Sequence, residues 1–199
     1  MTESGFVTRA CRLGLCVGLV LAVAACGPTQ PSTFYRLEGS STAAPEQSSR
    51  LALRVGPFDF PDYLDQPQIV TRGGGPVIVI DEFQRWAGSL DENFHRALSE
   101  DLMRLVGTSQ VSFYPNEPWF DADRQLVGEI LAFDGALGGE VVLDVRWQIR
   151  DPGRDRILAH GRRTLSEPAR DDSYIALVEA HERLVERFAG EVAAEMAAL

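Results

Sequence analysis

Apolar positions recur along this chain with two different periods, and the periods divide it into elements. Between Val141 and Ile149, the residues Val141, Leu143, Val145, Trp147 and Ile149 alternate with Asp144, Arg146 and Gln148. Alternation of that kind predicts a strand with one buried face and one wet face. The run from Leu126 to Phe133 predicts the strand before it, joined through Gly138-Gly139. Ile157 to Leu165 predicts the strand after it. Between these two, Asp151-Pro152-Gly153 predicts a type II turn, because proline sets φ and glycine accepts a positive φ. Leu51, Leu53 and Val55 share one face of a further predicted strand over residues 51–55. Shorter strand candidates are Phe34 to Leu37, Gln68 to Thr71, Val77 to Asp81 and Val111 to Tyr114. Gly73-Gly74-Gly75-Pro76 separates the second and third of these, and Pro57 to Asp65 reads as a structured loop.

Two stretches carry a helical period of about 3.6 residues. Phe94, Leu98, Leu102, Leu105 and Val106 form a stripe within a predicted helix from Leu90 to Val106. Ser89 and Glu92 have capping-box spacing at its start, and Gly107 stops it. Tyr174, Leu177, Val178, His181, Leu184, Val185, Phe188, Val192 and Met196 line one face of a second predicted helix from Ser173 to Ala198. The expected fold is α+β over residues 50–199: a mainly antiparallel sheet with two helices packed on one face.

A third apolar run has no such period. Leu13 to Ala25 follows Arg9 and Arg12 and ends at Val23-Ala24-Ala25-Cys26. A helix needs about 20 apolar residues to cross a bilayer, and this run is shorter. A basic segment, a short apolar segment and small residues at a cleavage point predict a signal over residues 1–25. The last four residues have the lipobox pattern, which makes Cys26 the acceptor of a diacylglycerol thioether and the first mature residue. An ordinary secretory signal and a short uncleaved anchor are the competing readings. Residues 26–49, polar and proline-bearing, are expected to form a tether with one short strand. Cys11 and Cys16 depart with the signal, so the mature chain keeps a single, lipidated cysteine and has none for a disulfide. Gly27, where aspartate would favour the inner membrane, points to the periplasmic face of the outer membrane; the inner membrane is the alternative.

Charge narrows the partners. The chain carries a formal charge of −10, and removing Glu3, Arg9 and Arg12 with the signal makes it −11. Neither a nucleic-acid binder nor a polybasic headgroup binder has that balance. Every basic side chain is arginine, which excludes Schiff-base and phosphate-loop lysine chemistry.

Candidate chemistry is sparse. His95, His160 and His181 belong to no HExxH motif, and His181, on the apolar stripe, is expected to be a packed, hydrogen-bonded residue. Asp59, Asp62 and Asp65 lack the ligand spacing of a calcium loop. Ser89, Ser99 and Ser112 have no nucleophile-elbow context. No catalytic residue, metal or cofactor is expected. Phe58, Phe60, Tyr63 and Leu64 in the proline-rich loop, with Phe83 and Trp86 ahead of the first helix, fit either core packing or a recognition surface.

The segment Tyr63-Leu64-Asp65-Gln66-Pro67-Gln68-Ile69-Val70-Thr71-Arg72 and the later Glu82-Phe83-Gln84-Arg85-Trp86-Ala87-Gly88-Ser89-Leu90 resemble two signatures of the PqiC-type ABC-transport auxiliary lipoproteins. The chain departs from the commoner pattern at Gln66, where a basic residue is usual, and at Gly88-Ser89, which replaces an acidic-proline pair. The resemblance implies a non-enzymatic lipoprotein of an MCE-type lipid transport system. It implies as partners an MCE-domain tunnel protein and inner-membrane transporter subunits, with the lipoprotein at the outer-membrane end, arranged as a homo-oligomeric ring. Tyr63, Leu64, Pro67, Gln68, Arg72 and Trp86 are the candidate partner-binding positions that it carries over. A lipid-binding carrier and a tethered hydrolase stand as alternatives.

Overall fold

Long strands with one apolar face dominate the architecture. The computed structural model describes residues 30–39, 49–113 and 119–199. In chain order the strands are β1 (Thr33–Tyr35), β2 (Leu53–Asp59), β3 (Gln68–Arg72), β4 (Ile78–Trp86), β5 (Val111–Ser112), β6 (Arg124–Gly135), β7 (Glu140–Asp151) and β8 (Arg156–Pro168). The helices are α1 (Leu90–Val106) and α2 (Tyr174–Ala197).

The predicted meander is present, since β6, β7 and β8 pair antiparallel in sequence order. Val141, Leu143, Val145 and Ile149 are fully buried while Arg146 and Arg150 stay in water, as alternation on a one-sided sheet requires. The sheet as a whole is mixed: its longest pairings are antiparallel, in line with the expectation, but parallel pairings stand beside them. β2 pairs parallel with both β6 and β5, β3 touches β6 parallel at Thr71 and Gly135, and β1 runs parallel to β4. The physical reason is that β6 is long enough to share one edge. β2 lies along Arg124 to Glu129 and β3 meets the far end at Gly135.

Both helices cover one face of the sheet and pack on each other. α1 matches its predicted bounds. The Ser89 hydroxyl accepts a bond from the Glu92 amide, and Gly107 closes the helix with φ 69°. α2 starts after Ser173, whose side chain accepts from the Ala176 amide. The core between the layers is built from aromatic rings packed edge to face. Phe94 of α1 meets Phe58 at 5.3 Å, Phe60 at 5.5 Å and Phe133 at 5.5 Å.

Local expectations fail in four places. The Asp151-Pro152-Gly153 turn is a 3-10 turn, and Asp155, not Gly153, takes the positive φ of 46°. Phe58 belongs to β2 and not to a loop, because a shift of register between Val55 and Phe58 lets the strand continue past Pro57, which has no N–H to donate. β4 runs on to Trp86, so the second signature segment is largely strand. β5 ends at Ser112, and Tyr114 lies outside the described residues. The signal, Cys26 and most of the tether also lie outside them.

Candidate functional site

The first signature segment folds as a 3-10 turn at Asp62–Leu64 followed by β3, and its two ends grip one buried carboxylate. The Tyr63 hydroxyl donates to Asp134 Oδ2 at 2.7 Å, and Arg72 Nε donates to Asp134 Oδ1 at 2.5 Å. The Asp134 side chain is fully buried near the end of β6, whereas about half of the Arg72 side chain remains in solvent. Burial pushes the Tyr63 phenol well above its ordinary range, and the bond to Asp134 adds to this, so the hydroxyl stays a donor. Arg72's own bond to Asp134 holds its guanidinium above the ordinary arginine value. A carboxylate withdrawn from water needs hydrogen-bond donors, and these two give each of its oxygens one.

The other candidate positions point elsewhere. Leu64 and Trp86 are buried in the core, and Trp86 packs edge-on to His181 at 5.8 Å. Pro67 is exposed, and its carbonyl accepts from the Trp86 amide at 2.8 Å, which ties the two signatures together. Gln68 donates through Nε2 to Glu82 at 2.8 Å on the surface. Tyr63 and Arg72 thus converge on Asp134, while Leu64, Pro67 and Trp86 meet at a different place. That place is a cleft of about 570 Å³ between residues 57–67 and the start of α1. Phe58, Phe60, Leu64 and Pro67 supply apolar wall, and Asp59, Asp62, Asp65 and Asp91 supply acid. No arginine lines it. The loop clamped by Asp134 is therefore the outer wall of an acidic-rimmed apolar cleft.

Two of the three histidines, His95 and His181, serve the fold. His95 Nδ1 lies 2.7 Å from the Asp91 carbonyl and must donate there, leaving Nε2 to accept from the Phe58 amide at 3.1 Å. His181 Nδ1 lies 2.8 Å from the Leu177 carbonyl. Burial lowers the pKa of both rings below the ordinary histidine value of 6.5. The unfolded chain then binds more protons than the folded one as pH falls through about 6.5, so stability falls with it. The stability these rings contribute is complete above the unfolded value and is lost as pH drops towards the lower folded value. Thermal melts at about pH 7.5 and about pH 5.5 check this; the midpoint should be lower in acid.

Two features escaped the sequence. Asp134 lies one residue beyond the predicted strand, where an aspartate reads as a turn. The second is a patch. Val77, Ile78, Val79 and Ile80 are 52%, 41%, 44% and 41% exposed, although they form or adjoin β4. Four successive β-branched residues were visible as a strand, but period two assigns one face inward and gives no warning that both faces are wet.

Among the described residues, no group of three His, Cys, Asp or Glu side chains gathers to hold a metal ion. No helix among them is long and apolar enough to cross a membrane. With that geometry in hand, comparison with known proteins gives three findings. Residues 35–193 match the family model described as the ABC-type transport auxiliary lipoprotein component. An uncharacterised protein of known crystal structure superposes with a TM-score of 0.70 at 20% identity, covering 84% of this chain and 99% of its own. A Xanthomonas campestris protein superposes with a TM-score of 0.64 at 15% identity, covering 81% of this chain and 93% of its own. At those identities the two structures speak for the fold. No curated protein sequence matches the chain.

Proposed function

The chain belongs to the ABC-type transport auxiliary lipoprotein component family, and from that premise we propose that it is a non-enzymatic docking subunit of an MCE-type intermembrane lipid transport system. In this reading it is anchored through lipidated Cys26 on the periplasmic face of the outer membrane. It receives there the tunnel protein that spans the periplasm, while the transporter subunits work at the inner membrane. The observation that carries the proposal is the family match over residues 35–193, joined to the lipobox ending at Cys26.

The cleft supports the docking role. Its apolar wall and the four aspartates at its rim complement a protein segment with an apolar anchor flanked by basic side chains. Apolar wall gives affinity, and the acidic rim gives orientation and rejects acidic partners. Tyr63 and Arg72 act at one remove, by holding the loop that forms the wall. Leu64, Pro67 and Trp86 shape the wall itself, and Gln68 lies beside it on the surface.

Genetic interaction tests the shared pathway. In the native host, deleting this gene together with that of the MCE-domain protein should raise envelope permeability no further than deleting either alone. Additive damage would place the two proteins in separate pathways and overturn the proposal.

A further inference from the structure

β3 and β4 form a hairpin whose turn is Gly73-Gly74-Gly75-Pro76, and its tip lies off the end of the core. Val70 and Thr71 are buried at its base, while every residue from Arg72 to Ile80 is exposed. Ile78 and Ile80 occupy one face of β4; Val77 and Val79 share the other with Gly73, where an added Cβ would sit 2.8 Å from a Val79 methyl. From Gly73 to Ile80 both faces are thus apolar, with Arg72, level with Ile78 and paired to Asp134, at the border of one of them. Residues 73–80 carry no charge in a chain whose formal charge is −10.

The edge of this strand is also open. β1 covers β4 only from Gln84 to Trp86, so among the described residues no strand lies along Ile78 to Phe83 on that side. The direction of β1 is informative. It runs parallel to β4, with Thr33 level with Gln84, so its N-terminal end points along β4 towards the hairpin tip. Six residues of strand separate Gln84 from Ile78, about 20 Å at ~3.4 Å per residue. Cys26 precedes Thr33 by seven residues, a reach of at most about 25 Å. The anchor's reach therefore covers the distance to the tip.

Resting on the lipid-anchored reading above, we infer that the β3–β4 hairpin tip is a membrane-contacting element, seated in the same leaflet that holds the acyl chains of Cys26. A protein strand added to the open edge would cover the edge and leave both apolar faces wet. A lipid interface surrounds both. The contact is shallow, at the headgroup–acyl boundary about 5–10 Å deep, where water still reaches the unpaired backbone groups. Two other exposed apolar residues, Leu137 in the β6–β7 turn and Ile175 at the start of α2, lie at the same end of the sheet, where the Gly138 amide donates to the Asp171 carbonyl. Asp171 and Asp172 keep the rest of that end in water, which leaves the hairpin as the inserted part.

A fluorescence experiment on the full acylated protein tests this. A single thiol is placed at Val79→Cys, or at Ile157→Cys as a control, and labelled with nitrobenzoxadiazole. Ile157 is exposed as well but lies across from Arg150, at the opposite end of the sheet. The protein is reconstituted in phosphatidylethanolamine–phosphatidylglycerol vesicles containing an acyl-chain spin-labelled phospholipid. The expected result is a blue-shifted emission at position 79, quenched several-fold more than at position 157. Equal quenching at the two positions overturns the inference. So does a blue shift at 79 that neither spin-labelled lipid nor aqueous iodide quenches, which would mean that protein covers the tip. Mass spectrometry of the N-terminal peptide separates the two levels of the argument. An acylated Cys26 with an unquenched tip refutes the hairpin contact alone, and an unmodified Cys26 refutes the anchor and the inference together.

Discussion

Replacing Arg72 by methionine is expected to destabilise the protein by about 3 kcal/mol, because it strands a buried carboxylate with one donor. The Asp134 side chain has no exposed surface, and its two partners come from opposite ends of the first signature segment. Removing Tyr63's hydroxyl, by Tyr63→Phe, is milder. It leaves the charge–charge contact in place and should cost about 1–2 kcal/mol for one unsatisfied acceptor. The combined variant Asp134→Leu with Arg72→Met removes charge and counter-charge together, and should recover most of the loss. Urea unfolding of the four proteins gives the comparison. If Arg72 were present for a partner alone, Arg72→Met would leave the unfolding midpoint where it is. The signature would then have to be explained by binding, and the clamp would be incidental.

Phe94→Ala should be more damaging, at about 3–5 kcal/mol. Phe94 is wholly buried and its ring touches Phe58, Phe60 and Phe133. Against a total stability of roughly 5–15 kcal/mol, that loss removes a large share of the folded population at growth temperature. The effect reaches the cleft, since Phe58 and Phe60 form part of its wall and rest on Phe94 from behind. Thermal unfolding followed by near-ultraviolet circular dichroism measures both consequences. A variant that melted within a degree or two of the parent would show that the ring cluster relaxes into the space and that the core is less tightly packed than the structure implies.

How much of this was legible in the sequence depended on the range of the interaction. α1 was readable to the residue because its signals are local: a serine cap, an apolar stripe and a terminal glycine. The β6–β7–β8 meander was readable because each turn joins neighbouring strands. The mixed character of the sheet was not, since nothing in Leu53 or Thr71 records that their strands lie parallel to β6. The site divides in the same way. Tyr63 and Arg72 stood out through their signature, but the reason for them, Asp134, lies 62 residues beyond Arg72. The proline-rich loop left open whether its large apolar residues were core or surface, and the answer differs by residue: Phe58 and Leu64 are buried, Phe60 is half-buried in the cleft wall, and Tyr63 is half-buried against Asp134.

The shared edge of β6 also sets an order of events in time. Leu53 pairs with Arg124, so 71 residues separate the partners, and β3 likewise waits for Gly135. Closing loops of that length is entropically costly and slow, whereas the β6–β7–β8 hairpins close quickly. A chain emerging N-terminus first therefore carries β2 and β3 without their central neighbour until β6 has appeared. Folding should begin in the C-terminal half and draw the N-terminal strands in last. On the lipid-anchored reading proposed above, a chain threaded through a membrane would benefit from that delay, because its leading strands would not yet be locked into the sheet.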